Sequence, residues 1–233
     1  GGRRVDRPGG GRHSGCVPAP RCIIHAMMEL NWEWLPLLAA LALAFSLRPW
    51  RMLSGGNLAT PLLASLVFFP WLWALRGMHS MPIPLILSGS CLILLMLGWP
   101  LAVPVICLIA ALSGLVAPAP VEALIANAFW IGVLPATIAL WLGALLRRYI
   151  GPHVFVYTLG RGFIVTAVST FGASLLGEWA GADLPNIEPG LVTTAHWMMA
   201  WGEAFMTGMF SAIFVAFRPQ WLATWSDNLY LHK

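Results

Sequence analysis

Apolar residues run along this chain in blocks long enough to cross a lipid hydrocarbon core, separated by short stretches that carry most of its charge. The first block covers residues 34–47, with Trp32 and Trp34 at one edge and Arg48, Trp50 and Arg51 at the other. Aromatics and arginines at opposite ends are what anchoring at the two membrane interfaces requires. Further blocks fall at 58–75, 83–97, 101–116, 121–146, 154–176 and 191–217. The third and fourth are short and meet at Gly98-Trp99-Pro100, so they read as a tight hairpin or a partly re-entrant pair. The sixth is interrupted by Gly160-Arg161-Gly162. The pattern predicts an all-α fold: a polytopic integral membrane bundle of about seven transmembrane helices, six being possible.

Composition narrows the function. Hydrophobic residues make up 59% of the chain and charged residues 9%, against about 25% charged in an ordinary soluble domain. No soluble catalytic module fits between the spans. The net charge of +4 comes from arginines in short loops or the first 21 residues, with no basic face for a nucleic acid. Cys16, Cys22, Cys91 and Cys107 lack metal or redox spacing, and the last two sit in apolar runs as small hydrophobes.

Residues 1–27 hold five arginines among scattered Gly and Pro, with neither helical nor strand periodicity. They read as a disordered or non-native extension, with the physiological start expected at Met27 or Met28. Residues 28–217 form the transmembrane domain and 218–233 a short cytoplasmic tail. Seven alternating spans put Arg48, Arg51, Arg147, Arg148, Arg218 and Lys233 on one side, with Glu122 and the acidic segment 178–188 on the other. By the positive-inside rule the arginine side is the cytoplasm, giving an outside amino terminus and an inside carboxyl terminus. Ala39, Ala40, Ala42 and Ala44 would let a neighbouring helix approach closely, or simply favour helix formation.

Asn127, Arg161, His196 and Glu203 are the polar groups expected at membrane depth, where an ionisable residue is a functional hypothesis by default. His196 and Glu203 stand seven residues apart in TTAHWMMAWGEAFMTG, nearly on one helix face but about 10 Å apart along the axis. They cannot share one metal ion, so each needs partners from other helices. Gly202, Ala204 and Gly208 are small enough to bury the carboxylate between helices. Arg161 either snorkels toward cytoplasmic phosphates or pairs with Glu203, and Asn127 either bonds another helix or contacts substrate. A last cluster, Met78, His79 and Met81, offers thioether and imidazole ligands that suit soft or borderline metals, unless it is an ordinary interfacial loop. No phosphate-binding loop, HExxH, nucleophile elbow or paired-carboxylate motif is present.

Several segments resemble the integral membrane permeases of energy-coupling-factor transporters, in particular the cobalt/nickel class and its divergent proteobacterial relatives. The likeness lies in His196 with Gly202-Glu203-Ala204 and Met206-Thr207-Gly208, and in Ala126-Asn127-Ala128-Phe129 with Gly132-Val133. It extends to the hairpin from Ser88 to Val103 and to Arg218-Pro219-Gln220-Trp221-Leu222. The resemblance implies a substrate-capture subunit of the bacterial inner membrane that works with a coupling protein and cytoplasmic ATPases. In that class it also implies metal held by the free amino terminus, a second-position histidine, and a histidine three residues before the glycine of the third helix. Here those positions read Met28-Glu29 or Met27-Met28, and Ile86, so no ligand is carried over.

The reading that follows is a non-enzymatic permease with no cofactor, a transition metal ion as its possible substrate, and lipids and other membrane subunits as partners. His196 and Glu203 would then be packing or gating residues. The alternative is a non-transporting subunit that stabilises or assembles a larger membrane complex.

Overall fold

The computed structural model describes residues 33–53, 55–78, 87–151, 153–181 and 191–225, without the side chains of 76–78. The segment 1–27, His79 and Met81 lie outside the described residues. Every described apolar block is helical, and no strand occurs among the described residues. The order is α1 (Trp34–Ser46), the single turn α2 (Trp50–Leu53), α3 (Ala59–Met78), α4 (Ser90–Leu97) and α5 (Trp99–Val116). A continuous helix of 30 residues follows, made of α6 (Val121–Asn127), a π-helical stretch (Ala128–Val133) and α7 (Leu134–Ile150). Another of 24 residues joins a second π-helical stretch (Val156–Ile164) to α8 (Val165–Trp179). The 26 residues of α9 (Val192–Phe217) end on a 3-10 turn, Pro219–Trp221. Helix α5, the two composite helices and α9 are long and apolar enough to cross a membrane, and α1 and α3 are shorter apolar helices. The protein is a polytopic helical membrane protein.

Helix α4 is the centre of the bundle. Its sequence SCLILLML has no polar side beyond the first residue, and all eight residues are buried. A helix that is apolar all round must be covered all round, and α3, α5, α7 and α9 pack against it. The outward faces carry Leu35, Trp141, Phe155 and Trp179, all strongly exposed, as a lipid-facing surface.

The third block was expected to be helical over 83–97; residues 83–86 lie outside the described residues, and 87–89 are not helical, so α4 begins at Ser90. Gly89, at φ 63°, adopts a left-handed conformation that starts α4 afresh. A Cβ on Gly89 would lie 1.8 Å from Cε1 of the Phe69 ring, so the position also needs the missing side chain. The joint at Gly98 forms as expected: Gly98 has φ 74°, and Pro100 sits in the first turn of α5, where its missing N–H costs nothing.

Two further expectations change. Gly160-Arg161-Gly162 does not interrupt its helix; the chain widens into π-helical turns there, and a Cβ on Gly162 would come within 2.3 Å of Ser211 Oγ on α9. Helix α8 runs on to Trp179, so Glu178 belongs to its last turn rather than to a connecting loop. Residues 222–225, part of the segment read as a short tail, pack against the bundle. Leu222 is buried, the Ala223 amide donates to the Met96 carbonyl at 2.9 Å, and the Thr224 amide donates to the Leu95 carbonyl at 3.3 Å. Of the small residues, Ala44 and Ala204 are fully buried, but Ala39, Ala42 and Gly202 are exposed.

Gly89→Ala is expected to destabilise the bundle by about 3 kcal/mol, combining a left-handed non-glycine residue with forced displacement of a packed ring. Thermal unfolding in detergent, followed by the loss of monodisperse protein, reads this directly. An unchanged melting curve would contradict the role given to Gly89.

Candidate functional site

Ser88, just ahead of α4, has every polar group engaged. Its amide N–H donates to Glu203 Oε2 at 2.9 Å and its hydroxyl donates to Glu203 Oε1 at 3.0 Å. The same hydroxyl oxygen accepts the Ser90 amide at 3.2 Å, and the Ser88 carbonyl accepts Trp73 Nε1 at 2.9 Å. One residue therefore ties α3, the start of α4 and α9 together. Glu203 is 2% exposed, and burying a carboxylate at that level is tolerable only with such donors. It acts as a cap supplied from a residue 115 positions away in sequence.

The face of α9 that carries Glu203 also carries His196, Met199, Ala200, Thr207 and Ser211, all buried. The sequence places His196 and Glu203 on one face, and the structure does the same, but their partners differ. His196 Nδ1 faces Glu178 Oε2 across the α8–α9 contact at 3.6 Å. Neither of these two buried atoms has a hydrogen-bond partner.

Arg161 does not pair with Glu203, whose oxygens are taken by Ser88. It is buried in the second π-helical stretch against Gly143, with its guanidinium 5.9 Å from the centre of the Tyr157 ring. The Tyr157 hydroxyl meets Thr224 Oγ1 at 2.7 Å, and Thr224 Oγ1 lies 2.9 Å from the Leu95 carbonyl that it donates to. Asn127 is half-buried in the last turn of α6 and makes a contact of its own. Beside it, Trp130 Nε1 donates to Glu33 Oε1. Met78 is the last residue of α3.

Sequence reasoning missed Ser88 and Glu178. Ser88 is one small polar residue in an apolar stretch and gives no signal of its own. Glu178 had a usable one: the apolar spacing of the preceding helix continues through Gly177 and Trp179, both of which α8 includes. Among the described residues, no group of three or more His, Cys, Asp or Glu is placed to hold a metal ion.

A family model described as "cobalt uptake substrate-specific transmembrane region" matches residues 23–221. No curated protein and no solved structure matches the chain.

Glu203→Ala is expected to cost about 3 kcal/mol, because it strands the Ser88 amide in an apolar interior and leaves the Ser88 hydroxyl only Ser90 Oγ to donate to. Glu203→Gln keeps an acceptor for the amide and should cost roughly 1 kcal/mol. Melting of both variants in the same detergent tests the difference; equal losses would contradict the capping role.

Proposed function

Because the chain belongs to the cobalt uptake substrate-specific transmembrane family, we propose that it captures a cobalt-class divalent ion and releases it inward through partner subunits. Family membership makes the chain a substrate-capture permease of an energy-coupling-factor transporter, with a transition metal as the fitting substrate. It is a transport component that works with other membrane subunits. The match over residues 23–221 is the observation that carries this reading.

The chain hydrolyses no ATP; a separate coupling protein and cytoplasmic ATPases do that work. It resides in a bacterial inner membrane, with the arginine-rich ends of the helices in the cytoplasm and the amino terminus outside. Glu203 serves as a structural and coupling residue: its two oxygens hold the Ser88 turn, so movement of α9 moves the start of α4. Met78, with His79 and Met81 next in sequence, supplies soft ligand chemistry near the outer end of α3.

Cells that produce this chain together with a coupling protein and ATPases should accumulate labelled cobalt several-fold above cells with an empty vector. Replacing the phosphate-binding lysine of the ATPases should abolish the gain. Accumulation no higher than the empty vector for both cobalt and nickel would remove the transport reading.

A further inference from the structure

We propose that His196 and Glu178 form a two-ligand site for a divalent transition metal of borderline softness, near the end of the bundle opposite Arg147 and Arg148. The choice of ion rests on the transport reading above; the site itself rests on geometry.

His196 is 6% exposed, and its Nδ1 is buried with no hydrogen-bond partner; Glu178 Oε2 is in the same condition. The two atoms lie within ion-pair distance of each other but without a hydrogen bond, which leaves both incompletely satisfied at this burial. Their separation of 3.6 Å is too long for a hydrogen bond. A protonated imidazole donating to a carboxylate would close to about 2.8 Å. A cation about 2.1 Å from each atom at the tetrahedral angle would set them about 3.4 Å apart, close to the 3.6 Å observed. Imidazole nitrogen with carboxylate oxygen suits cobalt, nickel and zinc.

Access and position fit a point of passage. The Glu178 side chain is 33% exposed although its Oε2 is buried, so the carboxylate bridges the surface and the buried imidazole. Water can complete the coordination from the exposed side. Two protein ligands hold an ion loosely enough to release it again. His196 lies two helical turns from Glu203 on the same buried face of α9, between the end of the bundle and the Ser88 turn.

The test uses the full chain in lipid nanodiscs titrated with cobalt(II) alone. Bound metal is counted after gel filtration, and its ligand shell is read by X-ray absorption. Wild type should bind cobalt with imidazole in the shell. His196→Ala and Glu178→Gln should each weaken binding at this site at least tenfold, and His196→Ala should lower the imidazole signal. Thr194→Ala, at an exposed position of the same helix, should match wild type. Glu178→Gln keeps side-chain volume at the edge of the bundle, and melting curves identify any variant that has lost its fold. The site is refuted if wild type binds no cobalt, binds it without imidazole, or if folded variants bind as wild type does. Cellular uptake run alongside separates the two ideas. Uptake with unaltered binding in both variants removes this site and leaves transport standing. Absence of uptake removes the transport reading, while His196-dependent binding in nanodiscs would still support the site.

Discussion

A helix of eight residues cannot satisfy its own ends, and burying it in the centre of a membrane bundle makes each unsatisfied end group expensive. The first four amides and last four carbonyls of any α-helix lack partners within it, and no water is available at this depth to replace them. In α4 those groups account for nearly the whole helix. The rest of the fold supplies several of the missing partners. At the start, Ser88 accepts the Ser90 amide and is itself held by Glu203 from α9 and Trp73 from α3. At the end, Ala223 and Thr224 donate to the carbonyls of Met96 and Leu95. The position of α4 thereby fixes α3, α9 and the residues after α9 relative to one another.

This constraint explains why the segments that carry the family likeness are widely spread. Glu203, the hairpin that starts at Ser88, and the stretch after Arg218 read as unrelated motifs along the chain, yet all three converge on one buried helix. Tyr157 adds a further tie, since its hydroxyl reaches the same Thr224 that bonds Leu95. The ring of Tyr157 also lies beneath the guanidinium of Arg161, for which Gly143 leaves room. The widened turns of that stretch thus join the far end of α4 to the bundle as Glu203 joins the near end.

Much of the architecture was legible in the sequence because a membrane imposes a simple rule on composition. Long apolar runs had to be helices, and a lone carboxylate within one had to find partners. Which partners these were could not be read. Ser88 answers Glu203 from 115 residues away, and nothing in a single serine announces that it will present both an amide and a hydroxyl to the same carboxylate. Glu178 was misplaced for a different reason. It opens a segment with three acids and two prolines, a composition that reads as a loop, although the helix carries through to Trp179 before the chain turns. One extra turn moves that carboxylate from a connecting segment to a position facing His196. The third apolar block takes in residues 87–89, yet the left-handed Gly89 sets the start of α4 whatever the hydrophobicity.

The two ionisable residues of α9 therefore have distinct physical situations, and the difference bears on how a cation could pass. Both oxygens of Glu203 are occupied by donors that also organise the start of α4. A cation drawing on either oxygen would have to displace an amide or a hydroxyl hydrogen bond and leave it unsatisfied in an apolar interior. The positive end of the α4 dipole adds to that cost. Glu203 cannot serve as cap and ligand at once without loosening the central helix. His196 Nδ1 and the Glu178 oxygen opposite it meet each other at 3.6 Å without a hydrogen bond, and neither organises the start of α4. Chemistry that requires a ligand to bind and release is better carried by atoms whose engagement leaves the fold intact, and α9 holds those atoms two turns nearer the end of the bundle.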